Sequence, residues 1–495
     1  MMKKIRFILW TGIVLLACLL MVGCGSNGGS TSAPQTQTQT GQVVTFGTDA
    51  PICDVESFIA TITSASLVPQ GGGTGVPLIT STAPATVDFA RLTEFTNILS
   101  TANVAPNTYS QLQVNLSSPA QLIALNPANP SSPVTMSATL TATNLTIDIN
   151  PGLVVSDSTT TGLTLDFNLR KSLQVDGNGQ VTGTVDPQIT ATAATTSGTT
   201  VGEADSLYGV VQSTSTSNLP TGFTGSFQLT VADGAGQTYT ILSNSSTVFE
   251  GDGVTTFSDL TANTFVEVDA IVNTSGQIIA QTVDAEEQTS PSSQKSAFLG
   301  KILNVTQDGS GNATSFTLLV NEEIPSLNGS VPLHSGLNVA VSSSTKFHIN
   351  RKGWNHEGFA FNSQTLWQAE KVAVFGTLGS GSPPTMAATH IFLRPRTVTG
   401  NFIALAAAGS DGMTGGFTML PCGVLFGGNP ITVLTYPTTN FNGFSTLTQL
   451  TAAPTLIARG LLFYEQANGS SNQTGVSWTG PTWVLETKGV HQLPN

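Results

Sequence analysis

The chain has 495 residues, of which 9% are charged and 39% are hydrophobic, and its formal net charge is −13. This composition excludes a disordered acidic chain, and the lack of long runs of helix-forming residues excludes a coiled coil or a helical solenoid. The negative charge argues against nucleic acid as a partner, because nucleic acids are bound by clustered Lys and Arg. At roughly 100–200 residues per domain, the length predicts about three to four domains.

The N-terminus has the order of an export signal. Three basic residues among the first six precede an apolar run from Phe7 to Val22, which is followed by Gly23 and Cys24. Export signals need a basic start, a short apolar helix and small residues at the cleavage site. A permanent transmembrane helix is one alternative, for which the run is slightly short. A cut before Cys18 is the other, and it would leave an apolar tail.

A cysteine after a small residue resembles the lipobox of bacterial lipoproteins, which are cut before the cysteine and acylated on its thiol. The resemblance implies a signal peptide at residues 1–23, lipidation at Cys24 and attachment to a membrane. Since residue 25 is not Asp, the sorting rule of Gram-negative lipoproteins implies the outer membrane. Residues 24–41 are rich in Gly, Ser, Thr and Gln, which predicts a flexible tether.

Residues 42–195 are predicted to form one β-sandwich. Short runs of alternating apolar and polar residues are separated by Gly, Pro and Asn, which is typical of strands with one buried face. The runs are Val43–Phe46, Phe58–Ile62, Gln111–Leu116 and Leu163–Phe167. Leu92, Phe95 and Ile98/Leu99 recur at helical spacing, which predicts a short helix within residues 88–99.

Several stretches of this block resemble a bacterial envelope family known as domain-of-unknown-function 4382. They are Thr48–Val55, Val87–Phe89, Asn107–Leu112 and Leu165–Leu173, the last followed by a Gly-rich turn and Val185–Ile189. Members of that family resemble β-sandwich lipoproteins without known activity. The resemblance therefore implies an architecture and a location, and it implies no chemistry.

The rest of the chain contains three units at a spacing of roughly 90–100 residues. Each unit opens on a strand with a glycine, at Gly209, Gly300 and Gly400, and continues through two Phe-containing elements to a long apolar strand. Each unit is long enough for a small core, which predicts tandem β-barrels, the OB fold being one form of such a barrel. The fold class predicted for the chain is therefore all-β.

The predicted boundaries of these barrels are 205–287, 297–396 and 397–495, and the third repeat is degenerate. The repeated pattern resembles a second uncharacterised envelope family, domain-of-unknown-function 5666. That resemblance, like the first, implies no chemistry.

Sequence motifs for catalysis are missing, which predicts that the protein is not an enzyme. All five His lie in the last third of the chain, and there is no Gly-x-Ser-x-Gly elbow, HExxH or P-loop. Cys53 and Cys422 lie in different predicted domains and lack the spacing of a zinc site. They are interpreted as two small buried residues or as a disulfide bridge. No metal and no cofactor is predicted.

Two acidic segments have oxygen ligands that could hold Ca²⁺. Asp49, Asp54 and Glu56 cluster near the first strand, and residues 176–179 read Asp-Gly-Asn-Gly. Asp-Gly and Asn-Gly are also common hairpin turns. A turn is the favoured interpretation of residues 176–179.

The second repeat carries an insertion with unusual chemistry. From Phe347 to Phe361 it spans fourteen positions, where the first repeat has eight, and the added residues include Arg351, Trp354 and His356. Loops carry function, and a Trp ring beside hydrogen-bonding groups suits a sugar. The alternative is a solvated loop whose Trp packs against the barrel. If the protein binds a ligand, Trp354, with Arg351 and His356, is the predicted contact.

The sequence therefore predicts a non-enzymatic, lipid-anchored protein of the bacterial cell envelope. Its N-terminal β-sandwich and tandem barrels are expected to bind a ligand, a glycan or an envelope protein. A purely structural spacer is the first alternative. A glycan-active enzyme is a weaker one, because the acid and base residues that it needs are not evident.

Overall fold

The computed structural model describes most of the chain after residue 38. The described ranges are 39–49, 52–92, 96–177, 179–194, 198–231, 237–251, 253–288, 295–324, 331–349, 358–381, 383–450 and 454–493. The predicted signal peptide and Cys24 lie outside them, as do Arg351, Trp354 and His356. Within the described residues, no helix is both long enough and apolar enough to cross a membrane.

The N-terminal strands form one sheet that folds over on itself. They are β1 (Gly41–Thr48), β2 (Val55–Pro69), β3 (Val76–Ile79), β4 (Ala85–Asp88), β5 (Asn97–Val104), β6 (Asn107–Leu116), β7 (Ala120–Ala124), β8 (Val134–Leu140), β9 (Asn144–Val155), β10 (Thr160–Phe167), β11 (Leu173–Val175), β12 (Val181–Val185) and β13 (Ile189–Ala193). Their order is β11-β12-β8-β7-β2-β6-β9-β13-β10-β1-β5, with β3 and β4 paired to β2. A single-turn helix, α1 (Leu169–Ser172), follows β10.

Strand β9 turns this sheet into the predicted sandwich. It pairs with β6 in antiparallel fashion and with β13 in parallel, so that it belongs to both layers. Phe58 on β2 and Phe167 on β10 meet between the layers, with ring centroids 5.2 Å apart. Both rings are fully buried, which places the core between the two faces.

The helix predicted within residues 88–99 is mostly wrong. A 3-10 helix covers Phe89–Leu92, Phe95 lies outside the described residues, and Ile98 and Leu99 belong to β5. Ile98 packs into the core of the next domain, whereas Leu99 packs into the sandwich. A strand that is covered on both faces has adjacent apolar residues, and this pattern resembles the spacing of a helix.

The predicted barrels appear as three sheets with the same connectivity. The first contains β14 (Thr200–Ser215), β15 (Gly225–Val231), β16 (Thr238–Ser243), β17 (Val248–Gly251), β18 (Thr264–Asn273) and β19 (Ile278–Gln288). The second contains β20 (Lys295–Gln307), β21 (Ala313–Ile324), β22 (Gly336–Ala340), β23 (Lys346–Ile349), β24 (Lys371–Leu378) and β25 (Thr385–Arg394). The third contains β26 (Arg396–Ala408), β27 (Gly415–Pro421), β28 (Ile431–Thr435), β29 (Asn440–Asn442), β30 (Thr455–Glu465) and β33 (Thr482–Gln492), with a small hairpin of β31 (Gly469–Ser470) and β32 (Ser477–Trp478).

Further 3-10 helices connect strands of the first and third barrels. They cover Phe257–Asp259, Val424–Phe426 and Leu447–Gln449.

Each of these sheets closes into a five-stranded barrel. In the first barrel the order is β16-β15-β14-β18-β19, and β16 then pairs with β19 in parallel. The pairings β22–β25 and β28–β33 close the other barrels in the same way. A closed five-stranded barrel with this order is OB-like, so the predicted fold class is confirmed.

The repeated glycine at the start of each barrel has a packing reason. A Cβ atom on Gly209, Gly300 or Gly400 would collide with a carbonyl oxygen of the neighbouring strand. Each first strand is paired on both sides, to the second and fourth strands of its barrel. Glycine therefore permits the close backbone approach at which the strand bends.

The sandwich and the barrels share apolar cores within one unit that extends from Gln39 to Asn495. Val44 and Phe46 of the sandwich belong to the core of the first barrel, and Leu125 packs into that of the third. A disulfide bridge links Cys53, just before β2, to Cys422, just after β27, with Cα atoms 5.6 Å apart. The bridge ties the sandwich to the third barrel across a sequence separation of 369 residues.

Candidate functional site

The site residues predicted from sequence lie outside the described residues. This holds for Cys24 and for Arg351, Trp354 and His356 of the insertion in the second barrel. The proposals that involve them therefore rest on sequence alone.

The acidic residues near the first strand have separate partners. An Asp49 Oδ1 oxygen accepts a hydrogen bond from the Leu169 backbone, and Asp54 Oδ1 accepts one from the Val424 backbone. Glu56 pairs with a lysine of the second barrel. Within the described ranges, no group of three or more His, Cys, Asp and Glu is placed to hold a metal ion.

The acidic turn at residues 176–179 joins β11 to β12. Its Asp176 side chain accepts a hydrogen bond from the backbone of Gln180, and its carbonyl accepts one from Gly179. These bonds are those of a hairpin turn, which confirms the favoured interpretation.

The sandwich and the three barrels meet at a cavity of about 300 Å³, which we call the junction cavity. Its charged lining residues from the sandwich are Asp54, Glu56, Asp88 and Arg91. Those from the barrels are Asp205, Glu267, Lys301, Glu322, Lys371 and Arg396. In a chain with 9% charged residues, this concentration of charge singles out the junction.

Five ion pairs between described residues join different domains. The sandwich and the second barrel are joined by Arg91–Glu322 and Glu56–Lys301. The first and second barrels are joined by Arg394–Asp284 and Arg394–Glu267, and the first and third barrels by Arg459–Asp205. Most of these side chains are largely buried. Buried pairs are geometrically demanding, and they therefore favour one relative orientation of the domains.

Arg394 is the most buried cation of these pairs, with 3% of its side chain exposed. Its Nη1 atom lies 2.5 Å from Asp284 Oδ2 and 3.4 Å from Glu267 Oε2. Burial lowers the pKa of Arg394, but the two carboxylates outweigh it, so that the net shift is upward. The guanidinium is therefore charged and acts as a clamp between the first two barrels.

Ser57, Asp88 and His334 come together beside the cavity, a grouping that the sequence did not reveal. The Ser57 hydroxyl donates to Asp88 Oδ2 at 2.8 Å, and it lies 3.3 Å from His334 Nε2. A hydrolytic triad needs the carboxylate on Nδ1 and the serine on Nε2. Here both groups approach Nε2, and Ser57 is fully buried. The arrangement is therefore that of a structural hydrogen-bond network.

Backbone strain is also concentrated around the junction cavity. The described non-glycine residues with positive φ are Asp54, Ser158, Ser206, Asn218, Asn263, His334 and Ala369. Asp54, Ser206 and His334 line the cavity, and the carbonyl of Ala369 accepts a hydrogen bond from a further lining residue, Arg396. Such conformations cost of order 1–3 kcal/mol each and cluster at functional sites.

The electrostatics of the cavity are those of a desolvated site. Burial, opposed by Arg459 and supported by two nearby acids, raises the pKa of Asp205 to about 6. Burial lowers the pKa of Lys371 to about 8 and that of Arg396 to about 10, although nearby glutamates oppose both shifts. Charged groups of both signs thus line the cavity although burial removes much of their hydration.

Comparison with known proteins identifies a family for the first domain. Residues 40–182 match the family described as Domain of unknown function (DUF4382). No curated protein matches the chain. The predicted resemblance of the sandwich is thereby confirmed.

Solved structures show weak similarity over parts of the chain. One is drosophila Unr CSD456, with 9% identity and a TM-score of 0.14 over 59% of this chain and 98% of that one. Another is the wild-type single-stranded DNA binding protein from Thermus aquaticus, with 12% identity and a TM-score of 0.13 over 40% of this chain and 95% of that one. Scores this low carry no functional argument.

The DUF4382 domain supplies one wall of the junction cavity. Asp54, Glu56, Asp88 and Arg91 fall within the matched residues, whereas the rest of the charged lining comes from the barrels. The cavity is therefore formed by the combination of this domain with the barrels that follow it.

Proposed function

We propose that the protein is a lipid-anchored, non-enzymatic binding protein of the bacterial cell envelope, and that the junction cavity is its ligand-binding site. The resemblance of residues 1–24 to a lipoprotein signal with a lipobox at Cys24 supports the location, and the resemblance of the repeats to domain-of-unknown-function 5666 supports an envelope role. The main observation in favour of this binding site is the cavity itself. Charged residues from the sandwich and all three barrels line it, and so do residues with a strained backbone. Small-molecule sites are usually concave and combine apolar walls with polar groups that orient the ligand, and the junction cavity has both, with an unusually large share of charged groups.

The location is tested by labelling cells that express the protein with a palmitate analogue. Label that is lost in Cys24→Ala supports the anchor. Label that persists in this variant points to Cys18 or to another acceptor, and a wild-type chain without label contradicts lipidation. Fractionation of the envelope then tests the outer membrane.

The binding site is tested by blocking the cavity at its rim. Leu333 lines the cavity and is 48% exposed, so Leu333→Trp adds bulk without burying a larger side chain in a core. Val175→Trp is the matched control, because Val175 is 50% exposed and lies on β11 outside the cavity lining. The purified full-length chains are dialysed against small molecules extracted from the envelope, and retained compounds are identified by mass spectrometry.

Compounds retained by the wild type and by Val175→Trp, but not by Leu333→Trp, would support the proposal. Retention by all of the chains would place binding elsewhere, for instance at Trp354, Arg351 and His356. Retention by none would contradict a small-molecule function.

A structural spacer is the second candidate, and a specific observation favours it. Ion pairs such as Glu56–Lys301, Arg394–Asp284 and Arg459–Asp205 join domains, and a disulfide bridge links the sandwich to the third barrel. A chain of domains held in this way resists bending, which is what a spacer requires. Small-angle scattering tests this, since a spacer predicts one fixed distance distribution that reduction of the disulfide broadens.

A further inference from the structure

Arg396 is a buried cation that forms no ion pair with another residue in the described part of the chain. The residue is 7% exposed, at the start of β26, and it lines the junction cavity. Its Nε atom donates to the Thr397 carbonyl at 3.4 Å, and its Nη1 atom donates to the Ala369 carbonyl. Across the described ranges, Arg396 has no carboxylate within 4.0 Å, unlike Arg91 and Arg394.

The acids around Arg396 have other partners. Glu56 is held by Lys301, whose Nζ atom lies 2.6 Å from Glu56 Oε2. Glu370 accepts a hydrogen bond from the Trp367 backbone at its Oε2 atom, and burial raises its pKa well above the ordinary value, against hydrogen bonds from the backbone. Asp54, at the same cavity, directs Oδ1 to the Val424 backbone. The guanidinium is thus left to a counter-ion from outside the protein.

The surroundings of Arg396 favour a particular kind of counter-ion. Its guanidinium carbon lies over the ring of Phe426, 5.3 Å from the centroid. A planar guanidinium presents paired donors that match a carboxylate, and its Nη2 atom donates to no acceptor in the described part of the chain. Leu125, Leu299 and Leu425 supply apolar walls around the rest of the cavity.

We propose that the junction cavity binds a small organic acid, whose carboxylate pairs with Arg396 and whose apolar part contacts the leucines of the cavity wall. This inference rests on the proposed function, because it names the ligand class of the same cavity. An unpaired buried cation is costly to maintain, and a bound carboxylate would repay that cost. Since the cavity measures about 300 Å³, the acid has to be small.

The test uses the purified full-length chain and matched probes. Acetate, butyrate and benzoate are compared with acetamide, butyramide and benzamide, which have the same shapes without the charge, and with butylamine as a cation. Affinities are measured by titration calorimetry at constant ionic strength. Arg396→Met is the test variant, and Arg170→Met, which changes an exposed arginine of α1, is its control.

The proposal predicts that at least one carboxylate binds and that its amide binds about tenfold more weakly or worse. Arg396→Met should lose that affinity by about the same factor, whereas Arg170→Met should keep it. The melting temperature of ligand-free Arg396→Met should equal or exceed that of the wild type, since the variant removes an uncompensated charge. If Arg396→Met does not fold, Arg396→Lys replaces it, and we expect weaker binding because a lysine lacks the paired donors.

Equal binding of amides and carboxylates, preferential binding of butylamine, or an unchanged affinity in Arg396→Met and Arg396→Lys would overturn the ligand class. In those cases the cavity remains a binding site and the proposed function survives. If none of the probes binds, the proposed ligand class is also overturned. The proposed function fails separately, when the blocked variant Leu333→Trp retains the same compounds as the wild type.

Discussion

Removing Arg394 should separate the first barrel from the second. Arg394→Met keeps much of the side-chain volume but leaves Asp284 and Glu267 without their cation, where 9% and 15% of these side chains are exposed. Breaking a buried pair in this way costs about 3–5 kcal/mol, because the remaining charge stays desolvated. Since the pair joins two barrels, this loss of free energy should weaken the association of the first barrel with the second.

Calorimetric melting is the assay, with Arg170→Met as the control for loss of an exposed arginine. We expect the variant to melt in more separate steps than the wild type and to begin melting at a lower temperature. The triple variant Arg394→Met/Asp284→Asn/Glu267→Gln removes all three charges and should recover much of the loss. An unchanged melting profile in Arg394→Met would refute the argument that this cation holds the barrels together.

The pH dependence supplies an independent check on Arg394. Burial raises the pKa of Glu267, but Arg394, Lys371 and a hydrogen bond from Ser206 together lower it by more, so the net shift in the folded state is downward. A carboxyl with a lowered pKa contributes stability above its unfolded pKa, and this contribution is lost as the pH falls. The wild type should therefore keep the Glu267 contribution down to the unfolded pKa of about 4.5 and lose it as the pH falls further through the folded pKa, and its advantage over Arg394→Met should shrink as the pH falls from 7.

Further predictions concern the disulfide, Asp205 and the shared core. Replacing Cys53 and Cys422 with Ser should cost about 2–5 kcal/mol, and a non-reducing peptide map that lacks the linked pair would contradict the bridge. The folded pKa of Asp205, about 6, exceeds its ordinary value of 3.8. Asp205 should therefore destabilise the fold by on the order of 2–3 kcal/mol as the pH rises from about 4 to 6. Equal pH profiles of the unfolding free energy for Asp205→Asn and the wild type, measured by chemical denaturation, would contradict this. Phe46→Ala should lower the free energy of unfolding by about 3–5 kcal/mol. Hydrogen exchange should then become faster both in the sandwich and in β14 of the first barrel, and an increase confined to the sandwich would contradict the shared core.

The fold was predictable because strand patterns and repeats are local. Alternation at Val43–Phe46 and Leu163–Phe167 corresponds to β1 and β10, and the repeated glycines mark the first strand of each barrel. The error at residues 88–99 arose where a strand is covered on both faces. Its second cover is the first barrel, which no local pattern could indicate.

The junction cavity was not predictable, because its partners are distant in sequence. Glu56 and Lys301 are 245 residues apart, and the Asp54 carboxylate reaches the Val424 backbone across 370 residues. Asp54 and Glu56 were visible in the sequence as an acidic cluster, which suggested a cation between them. Their real partners come from two different barrels, so the spacing of the acids gave no signal of the site.

Arg396 is the residue at which the two proposed functions disagree. A spacer needs charges that pair across interfaces, and Arg394 and Lys301 meet that need. It gains nothing from a buried guanidinium without a carboxylate, since a Met or Leu there would pack without the cost of desolvation. A binding protein does gain, because the same cost becomes affinity when an anionic ligand arrives. The stability of ligand-free Arg396→Met therefore separates the two proposals: a marked loss favours a purely structural role, and no loss favours a residue kept for binding.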